Sequence, residues 1–198
     1  MRTSIALILA TGVVATLAFG SAGAAVIPVD STATYLRTND DPGATDSIPI
    51  ELASLSLAAG DTIRLQVLGD YSFELGNTPD EVTRLIAVFS SSVSMLSSEN
   101  LDRVPGAIDS GADVETSNTF FGDLSTNIAQ DFLITDLIVQ IPSGALYLFV
   151  APEDSHYSDN GDPDGDFALS IATIPEPGTL ALLGLGLLGL GLTRRRAN

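Results

Sequence analysis

The sequence predicts an all-β sandwich, and three observations carry that prediction. Apolar runs of strand length recur through the middle of the chain, several alternating apolar with polar residues. Clusters of Gly, Pro, Asp and Ser punctuate these runs and read as turns. No window shows the apolar periodicity of an amphipathic helix. At 198 residues there is room for one ordinary domain plus processing segments.

The elements follow in order. Arg2, the apolar run IALILATGVVATLAF and the small residues Ala22-Gly23-Ala24 read as a signal peptide over residues 1–24. Cleavage is expected after Ala24, with Ala25 the next candidate. The exported domain then spans residues 25–174, with its core at about 48–172. Its start, AVIPVDSTATYLRTNDDPGATDSI, is polar, contains Asp-Pro-Gly and reads as an extended lead-in. TIRLQVL turns Ile63, Leu65 and Val67 to one face and Arg64 and Gln66 to the other; DFALSI does the same with Phe167, Leu169 and Ile171. LIAVF and ALYLFV are unbroken, as central sandwich strands often are. Ala59-Gly60-Asp61 and Pro142-Ser143-Gly144 are expected to turn between neighbouring strands. Residues 91–131 are polar and glycine-containing, and read as a loop insertion with room for short strands. No repeat of fixed period is present.

Charge and composition exclude whole classes of function. The formal net charge is −17, and between Ala25 and Pro177 all 25 acids face only four arginines. Such a surface repels phosphate backbones, so no nucleic-acid partner is expected. With no cysteine there is no disulfide, thiolate metal site or thiol nucleophile. The chain has one histidine, His156, and neither a lysine nor a GxSxG elbow. A Ser-His-Asp arrangement is possible on paper, yet no serine is marked as a nucleophile. Carboxylates are too abundant for a glycosidase pair to stand out. The domain is expected not to be an enzyme.

The densest feature is APEDSHYSDNGDPDGDF, where Glu153, Asp154, Asp159, Asp162, Asp164, Asp166 and Asn160 crowd one loop between two strands. Packed carboxylates repel one another unless water or a cation screens them. Calcium takes six to eight oxygens of the kind this loop offers. The window beginning at Asn160 imitates an EF-hand, but its twelfth position is Ile171, where a bidentate Glu is needed. The alternative is a solvated acidic hairpin.

At the C-terminus, residues 180–192 are all Leu, Ala or Gly, followed by Arg194, Arg195 and Arg196. Gly184-x-Gly186-x-x-Gly189 matches a dinucleotide fingerprint by letter, but lacks the strand, helix and downstream acid that give it meaning. A basic cap after an apolar run is a positive-inside stop signal, so residues 179–193 are expected to form a single-span helix. With Pro175, Glu176 and Pro177 ahead of it, the segment 175–198 resembles the PEP-CTERM sorting signal of exported proteins. That resemblance implies an exosortase-type membrane protease as a partner. It also implies transient anchoring in the inner membrane, then delivery to the cell surface or to extracellular polysaccharide.

A second resemblance concerns the cargo. SGALYLFVAPEDSHYSDNGDPDGDFALSI and LAAGDTIRLQVLGDYSF resemble the closing strands, calcium loop and earlier strand of the galactophilic bacterial lectins. The resemblance implies a jelly-roll-like β-sandwich with a calcium loop at its edge. Its Ca2+ ligands would fall on the carbonyls of Phe73 and His156 and on the side chains of Asp154, Asp159 and Asn160. Sugar hydroxyls would bind beside Asp154, His156, Asp159 and Asn160. The loop ELGNTPDE is short, and it lacks the His and Gln that grip galactose in that family. Calcium-dependent carbohydrate binding is therefore one expectation. A structural surface protein, its loop a calcium clamp or a solvated hairpin, is the other.

Overall fold

The computed structural model describes residues 23–74, 76, 80–111, 128–174 and 186. The expected signal peptide and the expected span at 179–193 fall almost wholly outside these residues, as does the Pro-Glu-Pro and arginine motif. Among the described residues no helix is long and apolar enough to cross a membrane.

The architecture is nearly all-β. The strands are β1 (Ala25–Pro28), β2 (Ala33–Thr34), β3 (Thr45–Asp46), β4 (Ile50–Glu51), β5 (Thr62–Leu68) and β6 (Leu85–Ser90). They continue with β7 (Ala107–Ile108), β8 (Phe132–Ile134), β9 (Asp136–Gln140), β10 (Tyr147–Pro152) and β11 (Ala168–Thr173). Among the described residues a 3-10 turn, Leu52–Leu55, interrupts them. One sheet has the order β1-β11-β5-β9, and the other has β4-β10-β6-β7 with β8 also paired to β6. β2 and β3 form a small parallel pair.

The two sheets share a core. Ile63, Leu65, Val139, Leu169 and Ile171 from one face Leu85, Ala87, Phe89, Leu148 and Val150 from the other. The alternation read in TIRLQVL and DFALSI is thus the pleat of β5 and β11, in register through Leu65 opposite Ile171. β6 and β10 are buried on both faces, which explains their unbroken apolar runs. Their alternate residues Ile86, Val88, Phe149 and Ala151 enter a second apolar cluster with Tyr35, Leu36, Val104, Ile128 and Tyr157.

That second cluster changes the reading of the lead-in. Tyr35 and Leu36 are completely buried, so the core begins well before residue 48. The lead-in is a cover over the outer face of β6 and β10, pinned by Ser47 Oγ donating to the Val150 carbonyl. The Pro142–Gly144 turn is present, with Ala145 N donating to Pro142 O at 3.2 Å. It joins β9 to β10, which lie in different sheets. The jelly-roll description is finer than these strand orders carry.

Candidate functional site

The acidic loop leaves β10 at Pro152 and enters β11 at Ala168. One aromatic in this polar stretch, Tyr157, is 1% exposed and belongs to the second cluster. It anchors the loop by burial. Around it, Asp41 of the lead-in does the positioning. Its Oδ2 accepts the N–H of Tyr157 at 2.6 Å and that of Ser158 at 2.9 Å. Burial raises the Asp41 carboxyl, but the Ser158 hydroxyl and these two N–H groups outweigh it and hold the group below the usual aspartate range.

Asn160 is 4% exposed, and its Nδ2 donates to the Ser31 carbonyl at 2.9 Å. That bond fixes the amide plane. Its Oδ1 is solvent-inaccessible and has no hydrogen-bond partner. Asp154 Oδ1 accepts Ser155 N at 2.6 Å, while Oδ2 is inaccessible and unpartnered. Asp159 Oδ1 is in the same condition. Burial pushes Asp154 up to about 6; the charge of Asp159 adds to the rise, against the N–H groups of Ser155 and His156 and the Asn160 amide. Asp154 therefore lies within electrostatic reach of both Asp159 and Asn160. An unpartnered buried oxygen costs about 1–3 kcal/mol; besides these three, the loop holds Tyr157 Oη in the same condition, while Glu153 Oε2 is ion-paired with Arg84.

The turn after β5 packs against the acidic loop. Ser72 and Gly161 form an antiparallel bridge, with N–H to carbonyl distances of 2.8 and 3.0 Å, which sets Phe73 alongside Asn160. Tyr71 Oη donates to the Glu153 carbonyl at 2.9 Å, and Arg84 pairs with the Glu153 carboxylate at 3.0 Å. Gly69 has a φ of 65°, and a Cβ there would lie 2.0 Å from Asp166 Oδ1. Only glycine allows so close an approach.

The remaining loop acids have other tasks. Asp162 caps its own turn, accepting the N–H groups of Gly165 at 2.9 Å, Asp166 at 3.3 Å and Phe167 at 3.2 Å. Asp80, Asp162 and Asp164 bring carboxylate oxygens within 4.8 Å of one another. His156 Nε2 lies 3.1 Å from Ser158 Oγ, but its Nδ1 is 3.7 Å from Asp41 Oδ2, beyond hydrogen-bond distance. Since that carboxylate oxygen already takes two backbone N–H groups, Asp41 serves as a loop clamp here. Asp41, Ser31 and Asp80 escaped the sequence reading. The one available signal was Asn39-Asp40-Asp41-Pro42-Gly43, which reads simply as a turn.

Asp154, Asp159 and Asn160 offer a cation oxygen donors, the kind a hard ion such as calcium takes, while the neighbouring His156 adds a ring nitrogen to the loop. No curated protein and no solved structure matches the chain, so neither comparison supports the likeness to the galactophilic lectins. Residues 173–196 match the PEP-CTERM protein-sorting motif. The match overlaps the Pro175-Glu176-Pro177 and arginine-capped segment and implies a sorted, exported protein, anchored at its C-terminus until an exosortase processes it.

Proposed function

We propose that the exported domain is a non-enzymatic module of the cell surface or extracellular matrix whose acidic loop is a calcium clamp. The observation that carries this reading is the set of three inaccessible, unpartnered oxygens, Asp154 Oδ2, Asp159 Oδ1 and Asn160 Oδ1. The carbonyls of Phe73 and His156 would add neutral ligands, and the two carboxylates balance the charge of the ion. A bound ion would tie the β10–β11 loop to the turn after β5. Extracellular modules hold calcium at about 10⁻⁴–10⁻³ M, and this site is expected in that range or somewhat tighter. Calorimetric titration of calcium tests it: one site in the wild type, and no heat in the Asp154→Asn, Asp159→Asn double variant. Equal heats in the two proteins would remove the clamp.

A second reading has the ion coordinate vicinal hydroxyls of an extracellular polysaccharide, on a jelly-roll-like scaffold. What favours it is that the loop from Glu153 to His156, and again at Ser158 and Asp159, stays half-exposed. Binding at one such site would be weak, because few side chains surround it. A glycan array probed with calcium and with chelator separates the two readings, since only the sugar-binding form gives calcium-dependent spots.

A further inference from the structure

A cavity of about 440 Å3 lies between the edge strands of the two sheets. β1 ends one sheet and β4 ends the other, and the cavity enters between them. Its inner wall is Ile27, Val29, Ile50, Leu55 and Val150, which belong to or abut the shared core. Val29, Ile50 and Val150 keep 6–8% of their surface open, unlike the fully buried centre of β6. At the mouth Ile48 is 82% exposed, the most exposed large apolar side chain among the described residues. The volume falls in the range of small-molecule sites, roughly 300–1,000 Å3.

Charge selects the occupant. Three lining residues are acidic and none is basic. Asp30 is engaged with Thr32 and Thr45, and Asp46 with Arg103. Glu51 makes no side-chain hydrogen bond or ion pair among the described residues, and it stands at the end of the apolar wall. An anionic amphiphile would bring its charge against these acids, whereas an ammonium group would be attracted.

We propose that this cavity binds a small cationic amphiphile, its alkyl or aryl body against Val29, Ile50 and Val150 and its ammonium group beside Glu51. The test uses the exported protein recovered from cells and four probes followed by methyl NMR: octyltrimethylammonium, octanol, octanoate and tetramethylammonium. Octyltrimethylammonium should bind with one-site saturation, shift the methyls of Val29, Ile50 and Val150, and bind about three- to fivefold tighter than octanol. Octanoate and tetramethylammonium should leave those methyls unmoved. Ser54→Trp, which places a large side chain on the exposed rim, should abolish the shifts, and Glu51→Gln should weaken binding by about three- to fivefold. Ile48→Ser, at a site too exposed to matter for folding, serves as a second mouth variant and should also weaken binding. The proposal is overturned if no probe moves the three methyls, if octanol and octanoate bind as well as the cation, or if both mouth variants bind like the wild type.

Discussion

Replacing Asp154 by Asn should make the calcium-free protein more stable and the calcium-loaded protein less stable. The side chain keeps its shape, and the retained oxygen can still accept the Ser155 N–H seen at 2.6 Å. What disappears is a charge that the fold disfavours, since burial pushes this carboxyl up to about 6. The folded value lies above the unfolded one of about 4, so ionisation costs stability progressively as pH rises from about 4 to about 6 and the full cost persists at neutral pH. A rise of this size corresponds to about 3 kcal/mol for a fully buried group, and the part of the loop that faces water reduces it to on the order of 1–2 kcal/mol. For a domain of this size that is a gain of roughly 2–8 °C in Tm without calcium. Calcium at about 100 times its dissociation constant adds ~2.7 kcal/mol to the wild type alone, or roughly 5–11 °C. The two melting curves should therefore exchange order between chelator and calcium. Near pH 4 the chelator difference should vanish. Scanning calorimetry in both media is the assay. A variant that melts at or below wild type in chelator, and responds to calcium equally, would refute the claim that the unpartnered oxygens form a cation site.

Asp41→Ala should destabilise the domain by about 1.5–3 kcal/mol, because it strips a charged acceptor from two backbone N–H groups. Its calcium response should weaken as well, which a titration monitored by thermal melting would show. Asp131 is 3% exposed; burial first, then the charge of Asp102, pushes it up to about 8, against the pull of the neighbouring Tyr35 hydroxyl. Because this folded value exceeds the unfolded one, stability should fall as pH climbs from about 4 to about 8. Asp131→Asn should flatten that decline, as read from urea midpoints at about pH 5 and pH 8. In a host with the sorting machinery, intact mass should show a mature chain that begins near Ala25 and lacks residues beyond about Gly178. Secreted material still carrying Arg194 to Arg196 would contradict it.

The strands with one wet face were legible because the pleat writes itself as alternation, as in Ile63, Leu65 and Val67. β6 was legible for the opposite reason, an apolar run with no polar interruption. What covers its second face was not legible. Tyr35 and Leu36 sit in a polar segment, and two apolar residues among turn formers give no period to read. The loop acids were visible as a group, but their division of labour was hidden. Asp162 spends both oxygens on its own backbone and Asp154 leaves one without a hydrogen bond, a difference that composition does not encode. Asp41 lies 116 residues from the Tyr157 N–H it accepts, a separation across which no spacing rule operates.

The topology also decides where the site stands relative to the anchor. Ala25 pairs with Ile171 across β1 and β11, so the expected signal cleavage and the start of the sorting tag lie at the same end of one sheet. The acidic loop enters β11 at the other end, through Phe167 and Ala168. Six strand residues separate them, or roughly 20 Å. The acidic loop and the residues that lead into the sorting motif therefore lie at opposite ends of β11. On the proposed clamp reading, loading at Asp154 and Asp159 should not depend on the tail at the far end of β11, so the order reversal expected for Asp154→Asn should be the same in tethered and released protein.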